Sequence, residues 1–162
     1  MARDEKPGIN ATRRSVLFAA TFAAFLTPFL GSSVNLALPF IGKEFNAGAV
    51  GLGWVASSFI LASAMFLLPF GRLADILGRK KIFSAGLLLF SFSSALVIFC
   101  HTLVSLITVR IIQGISSAMF FSTSLAIISS VFPPGERGRA MGINITAVYL
   151  GLSAGPVIGG FL

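Results

Sequence analysis

Gly71-Arg72-Leu73-Ala74-Asp75-Ile76-Leu77-Gly78-Arg79-Lys80-Lys81 places five charges in eleven residues of a chain that is otherwise almost wholly apolar. Uncharged runs on both sides of it are long enough to cross a bilayer, whose ~30 Å hydrocarbon layer takes about 20 helical residues. A short charged connection between two such runs reads as a tight loop at one membrane face. Its Lys and Arg residues hold that face to the cytoplasm, because basic residues near span ends set orientation. Asp75, the lone acid of the stretch, stands four residues before Arg79. That spacing allows a local ion pair, or a contact with a neighbouring helix end.

Composition agrees with this beginning. Hydrophobic residues make up 56% of the 162 and charged residues only 10%, with a mean hydropathy of +0.95. A soluble domain of this length needs a polar surface that so few polar residues cannot make. The chain therefore reads as an all-α integral membrane protein. Its net charge of +7 raises nucleic-acid binding as an alternative, and the distribution of charge decides against it. Arg3, Lys6, Arg13 and Arg14 precede the first apolar run; Arg72, Arg79, Lys80 and Lys81 lie in the central stretch; Arg137 and Arg139 lie in a later one. Basic clusters that alternate with apolar spans follow the positive-inside pattern and form no basic binding face. Only Lys43 and Arg110 fall elsewhere.

Cys100 is the only cysteine, so an intramolecular disulfide and a cysteine-based metal cluster are excluded. His101 stands beside it in a turn, and there are no paired acids. No catalytic set, metal site or cofactor is expected, and the chain does not read as an enzyme.

Five stretches are long enough to span. Met1 to Arg14 forms a short, charged, mobile cytoplasmic tail, and residues 15–162 form the membrane domain. The first span covers about Ser15 to Phe40, with Pro28 expected to bend it; it is too long for a signal-peptide core and reads as a retained helix. Gly42 to Asn46 makes a small outer loop, and the second span covers about Val50 to Phe70. The third runs from about Ile82 to Cys100, and His101-Thr102 leaves room only for a tight outer turn. The fourth runs from about Leu103 to Val131, and Pro133-Pro134 stops it before a loop that ends at Arg139. The fifth begins near Ala140 and is still apolar at Leu162, so the chain is expected to be a fragment. With the N-terminus inside, five crossings leave the C-terminus outside.

Arg110 is the most telling single residue. A charge in mid-span costs several kcal/mol on insertion scales and calls for protein or water beside it and a partner. It lies about seven residues, or about 10 Å, into the fourth span, so snorkelling to the headgroups stands as the bland alternative to a functional role. Gln113 lies one turn on, and Gly114 with Ala118 opens room beside it. In the fifth span, Gly151, Gly155 and Gly159 fall four apart, a seam on which another helix can lie closely. Pro156 interrupts that seam and is expected to kink it. The serines of the fourth span, Ser116, Ser117, Ser122, Ser124, Ser129 and Ser130, fit helix packing first and a polar cavity second.

Three of these stretches together resemble the N-terminal part of a major facilitator superfamily transporter. Gly71-x-Leu73-Ala74-Asp75-x-x-Gly78-Arg79-Lys80-Lys81 is similar to the family's signature between helices two and three. Leu106-x-x-x-Arg110-x-x-Gln113-Gly114-x-x-x-Ala118 resembles its fourth-helix motif. Gly151-x-x-x-Gly155-Pro156-x-x-Gly159-Gly160 resembles the fifth-helix motif of its antiporter, drug-exporting branches. Ser32-x-x-Asn35-x-Ala37-Leu38-Pro39 looks like the first helix of the fourteen-helix drug exporters. The family usually carries an acid shortly before that stretch, where this chain has Leu30 and Gly31.

The resemblance implies five helices of a six-helix N-terminal half, with a C-terminal half completing the transporter. Alternating access then comes from two halves rocking about a midplane cavity. By the same resemblance, Gly71, Asp75, Gly78, Arg79 and Lys80 form the cytoplasmic gate and conformational loop, Gly78 allowing its tight turn. Arg110, Gln113 and Gly114 take part in proton coupling. Gly151, Gly155, Pro156, Gly159 and Gly160 shape the interface that separates antiport from leak, and Ser32 and Asn35 line the cavity. The expected activity is proton-coupled export of small hydrophobic or cationic compounds from the plasma membrane. Its partners are lipid, a small-molecule substrate and protons, with no nucleic acid. The alternatives are nutrient uptake or facilitated diffusion on the same fold, and a five-helix assembly or regulatory protein that transports nothing.

Overall fold

A computed structural model describes the backbone of residues 7–161 and the side chains of residues 13–159. It holds five long helices in chain order, α1 (Pro7–Glu44), α2 (Ala49–Leu77), α3 (Arg79–Leu96), α4 (Leu103–Val131) and α5 (Pro134–Phe161). A short 3₁₀ turn, Val97–Phe99, follows α3. No strand occurs among the described residues. All five helices are long and apolar enough to cross a membrane.

Several helix ends differ from those expected. The tail was expected to run to Arg14, but α1 already begins at Pro7. Proline suits the first turn of a helix, where its missing N–H has no partner to lose. At 38 residues, α1 is about 57 Å long at 1.5 Å per residue, well beyond the ~30 Å hydrocarbon layer. Its charged first turns therefore project past the span. Residues 1–6 of the expected tail lie outside the described residues.

The central charged stretch is not a loop of eleven residues. Helix α2 continues through Arg72 and Asp75 to Leu77, and α3 starts at Arg79. Only Gly78 is non-helical, at φ +101°, a backbone conformation that side-chain-bearing residues rarely adopt. The expected loop from Phe132 to Arg139 is likewise short. Pro134 opens α5, and the backbone amides of Glu136 and Arg137 both donate to the Pro133 carbonyl. On the opposite face, Thr102 and Ser105 exchange side-chain-to-backbone hydrogen bonds of 3.1 and 3.3 Å, a capping box that starts α4.

Helix α4 is the centre of the arrangement. In its most apolar stretch 56% of residues are buried, against 17 to 28% in the other four helices. It packs against α2 on one side and α3 on the other, while α1 packs chiefly against α5. Around Phe120, the rings of Phe83 and Phe90 stand edge-on at 6.5 and 5.6 Å, a favoured aromatic geometry. Large apolar side chains such as Phe18, Leu68 and Ile76 stay exposed. That is the expected outward surface of helices whose solvent is lipid.

Candidate functional site

Close backbone approach sets the site's dimensions. A Cβ built on Gly114 of α4 would meet the Phe59 carbonyl of α2 at 2.5 Å and Ala62 Cβ at 2.8 Å. The room expected beside Gly114 and Ala118 is thus filled by α2, because glycine lets the two backbones touch. Gly86 of α3 performs the same service against Met119 and the Ser116 carbonyl of α4. The glycines of α5 do so against α1. A Cβ on Gly151 would strike the Phe25 carbonyl; one on Gly155 would lie 2.5 Å from Ser32 Oγ and 2.7 Å from the Phe29 carbonyl. At Gly159 the approach relaxes to 3.2 Å from Ser33 Oγ. Ser32 and Ser33 stitch this interface by donating to the carbonyls of Leu152 and Gly155, at 3.0 and 3.2 Å. Pro156 lies within an unbroken α5, and the surroundings of Gly160 lie outside the described residues.

Arg110 is held where α2 meets α4. It is only 4% exposed, as is Gln113, so it does not snorkel to the headgroups. Its Nε donates to the Val55 carbonyl at 3.3 Å and its Nη1 to Gln113 Oε1 at 3.1 Å. The guanidinium lies over the Phe59 ring, 4.6 Å from its centroid, a cation–π contact. Gln113 Nε2 donates in turn to Ser94 Oγ of α3 at 3.2 Å. Among the described residues, every partner of Arg110 is neutral. Val55, Phe59 and Ser94 carry no mark in the sequence that would single them out; a backbone carbonyl, a phenylalanine and a serine have no spacing signal.

A cavity of about 270 Å³ opens beside Arg110. Its polar border is Thr27, Ser32 and Asn35 of α1 together with Arg110, and its apolar wall includes Phe59 and Phe121. Thr27 Oγ1 donates to the Ala23 carbonyl, while the Asn35 side chain makes no hydrogen bond among the described residues. The structure therefore brings Ser32, Asn35, Arg110 and the α1–α5 seam to one place, with Gln113 and Gly114 directly behind. The fourth-helix serines turn mostly to their own backbone, as Ser116 and Ser117 do in donating to the carbonyls three residues earlier. Ser117 also reaches Ser63 of α2 at 3.1 Å.

The charged stretch forms a separate group at one end of the bundle. Arg79 clasps Asp75 through Nη2 at 2.9 Å and Nε at 3.0 Å, and its Nη1 reaches the Ala126 carbonyl of α4 at 3.4 Å. Arg13 Nε donates to the Val131 carbonyl at 3.2 Å, so the start of α1 lies at the same end. Gly71 packs near Ser122, with its would-be Cβ 3.8 Å from Ser122 Cβ. Lys80 is exposed and, with Arg79, borders a recess beside the start of α1.

The family model for the Major Facilitator Superfamily matches residues 20–162. The chain belongs to that superfamily. Among curated members it is 33% identical over 147 residues to the riboflavin transporter RibZ of Clostridioides difficile, covering 91% of this chain and 32% of RibZ. It is 35% identical over 155 residues to the multidrug resistance protein Stp of Mycobacterium tuberculosis, covering 95% of this chain and 29% of Stp. The tetracenomycin C resistance and export protein of Streptomyces glaucescens is 26% identical over the full 162 residues, which span 30% of that protein. A bacterial homologue of the human lysosomal transporter Spinster, solved inward-facing and unoccupied, has the same fold. It superposes with a TM-score of 0.85 at 24% identity, over 98% of this chain and 32% of that one. The chain thus spans about a third of the length of these relatives. The superfamily is one of multi-pass membrane transporters, and several of the chain's relatives are named for drug resistance or export.

Proposed function

We propose that this chain is the N-terminal part of a transporter that exports small hydrophobic or cationic compounds in exchange for protons by alternating access, from the plasma membrane, with its N-terminus in the cytoplasm. The observation that carries the reading is Arg110. It is a buried cation about 10 Å into its span, bordering a cavity whose other walls come from α1, α2 and α5. Retaining a charge at such depth is costly unless it is used. A guanidinium stays protonated throughout, so in this reading Arg110 sets the potential inside the cavity while the proton rides on another group. Gln113 holds the guanidinium in place, and Gly114 brings α2 close enough to supply its carbonyl and ring. The C-terminal half supplies the far wall of the cavity, and the Asp75–Arg79 pair, at the basic end, meets that half when the cytoplasmic side closes. The five-helix regulatory alternative loses ground, since all the named relatives are about three times longer.

The test is Arg110→Ala in the complete transporter, reconstituted in vesicles with an imposed proton gradient. Gradient-driven export is expected to fall to background while the amount inserted in the membrane stays unchanged. Wild-type efflux by the variant would remove Arg110 from coupling. A second reading, uptake of a nutrient, is favoured by the likeness to a protein named as a riboflavin transporter. The direction of movement in right-side-out against everted vesicles separates the two.

A further inference from the structure

We infer that the cavity beside Arg110 selects its occupant by charge, taking anionic aromatic compounds and turning cations away. The inference rests on the proposal that this cavity is the substrate path; of the two substrate classes proposed it keeps the hydrophobic one, adds a negative charge to it, and drops the cationic one.

The five acids of the sequence are Asp4, Glu5, Glu44, Asp75 and Glu136. Glu44 is the last residue of α1, Asp75 lies two residues from the end of α2, and Glu136 is in the first turn of α5, so none of these three borders the cavity. Asp4 and Glu5 precede α1 altogether. Among the described residues, the one charge on the cavity wall is therefore positive. Among the described residues it also has no counter-charge: a carbonyl, an amide oxygen and a ring face satisfy part of its hydrogen bonding but carry no net charge. A guanidinium has five N–H donors; Nε and Nη1 have the partners named, and Nη2 makes no hydrogen bond among the described residues. A buried cation lacking a counter-charge is strongly unfavourable, and in a low-dielectric site its field acts on an entering charge with little screening.

An anion entering this cavity gains what the protein withholds, a charge-assisted hydrogen bond to the free side of the guanidinium. The Asn35 amide, without a partner of its own, adds a neutral donor at the same border. Phe59 and Phe121 offer aromatic faces to the remainder of the molecule. A cation meets the reverse: like charge, and no carboxylate to offset it.

Fluorescein and rhodamine 123 share a xanthene scaffold and differ in the sign of their charge. The experiment is binding of each to the complete transporter, purified in detergent, by fluorescence anisotropy at neutral pH without any gradient. Fluorescein is expected to bind at least tenfold more tightly, and Arg110→Gln to erase the difference. Should that variant fold poorly, Asn35→Asp supplies an acid at the cavity border, and the preference is expected to shift toward rhodamine 123. Equal or reversed affinities in the wild type, no saturable binding of either dye, or discrimination unaltered in a folded variant would each overturn the inference. An acid contributed by the C-terminal half would appear as the first of these. Because no gradient is involved, selective binding without proton-driven movement would defeat only the antiport proposal, and proton-driven export with equal affinities only the charge selection.

Discussion

Gly78 makes the turn between α2 and α3 with a single residue, and it does so at φ +101°. An L side chain in that region of backbone space costs about 1–3 kcal/mol, whereas open space around its Cα means that sterics add nothing. Gly78→Ala is therefore expected to lower the thermal midpoint of the complete transporter by a few degrees through backbone strain alone, and an unchanged midpoint would show that the turn relaxes. The Asp75–Arg79 pair beside it does not hold this turn, since both side chains are largely exposed and such helical pairs contribute at most about 0.5 kcal/mol. At this scale the sequence was partly legible. Arg110 stood out because a charge interrupts an apolar run, but its partners did not, because a Val55 carbonyl and a Phe59 ring become partners only when Gly114 lets α2 lie against α4.

Between helices, the small residues decide which faces meet. Gly155→Val is expected to destabilise the protein by about 1–3 kcal/mol or more, since its side chain would drive into Ser32 and the Phe29 carbonyl and part α1 from α5. Gly142→Ala, on the same helix but with nothing within 4 Å, is expected to leave the midpoint unchanged or raise it, as alanine suits a helix interior better. Thermal unfolding of both variants in detergent checks the contrast; equal losses would mean that the seam packs less tightly than its geometry states. The four-residue spacing of Gly151, Gly155 and Gly159 announced a close neighbour, but a seam offers room and carries no address, so α1 could not be named from it. The helix ends were misread for a related reason. Charges in 71–81 mark a membrane face, yet nothing from Arg72 to Leu77 breaks a helix, and Pro134 starts one as readily as it stops one.

For the molecule as a whole, the proposed orientation rests on where the basic residues gather. Arg13, Arg14, Arg79, Lys80 and Arg139 all border recesses at one end of the bundle, while the partly exposed Cys100 lies in the turn at the other end, before α4. A membrane-impermeant maleimide added to intact cells is expected to label the wild-type protein at Cys100 and to lose that labelling in Cys100→Ser; labelling only after permeabilisation would invert the topology. The pairing of α1 with α5 has a further consequence, one of timing. About 90 residues separate the end of α1 at Glu44 from the start of α5 at Pro134, which at roughly 5–20 residues per second is a delay of some 5–20 s on the ribosome. Throughout that interval the newborn α1 is in the bilayer without its main companion, its Ala20, Ala23, Ala24 and Thr27 face turned to lipid or to whatever insertion factor shelters it. Helices α2, α3 and α4 can settle together as they emerge, whereas the first helix made is among the last to find its place.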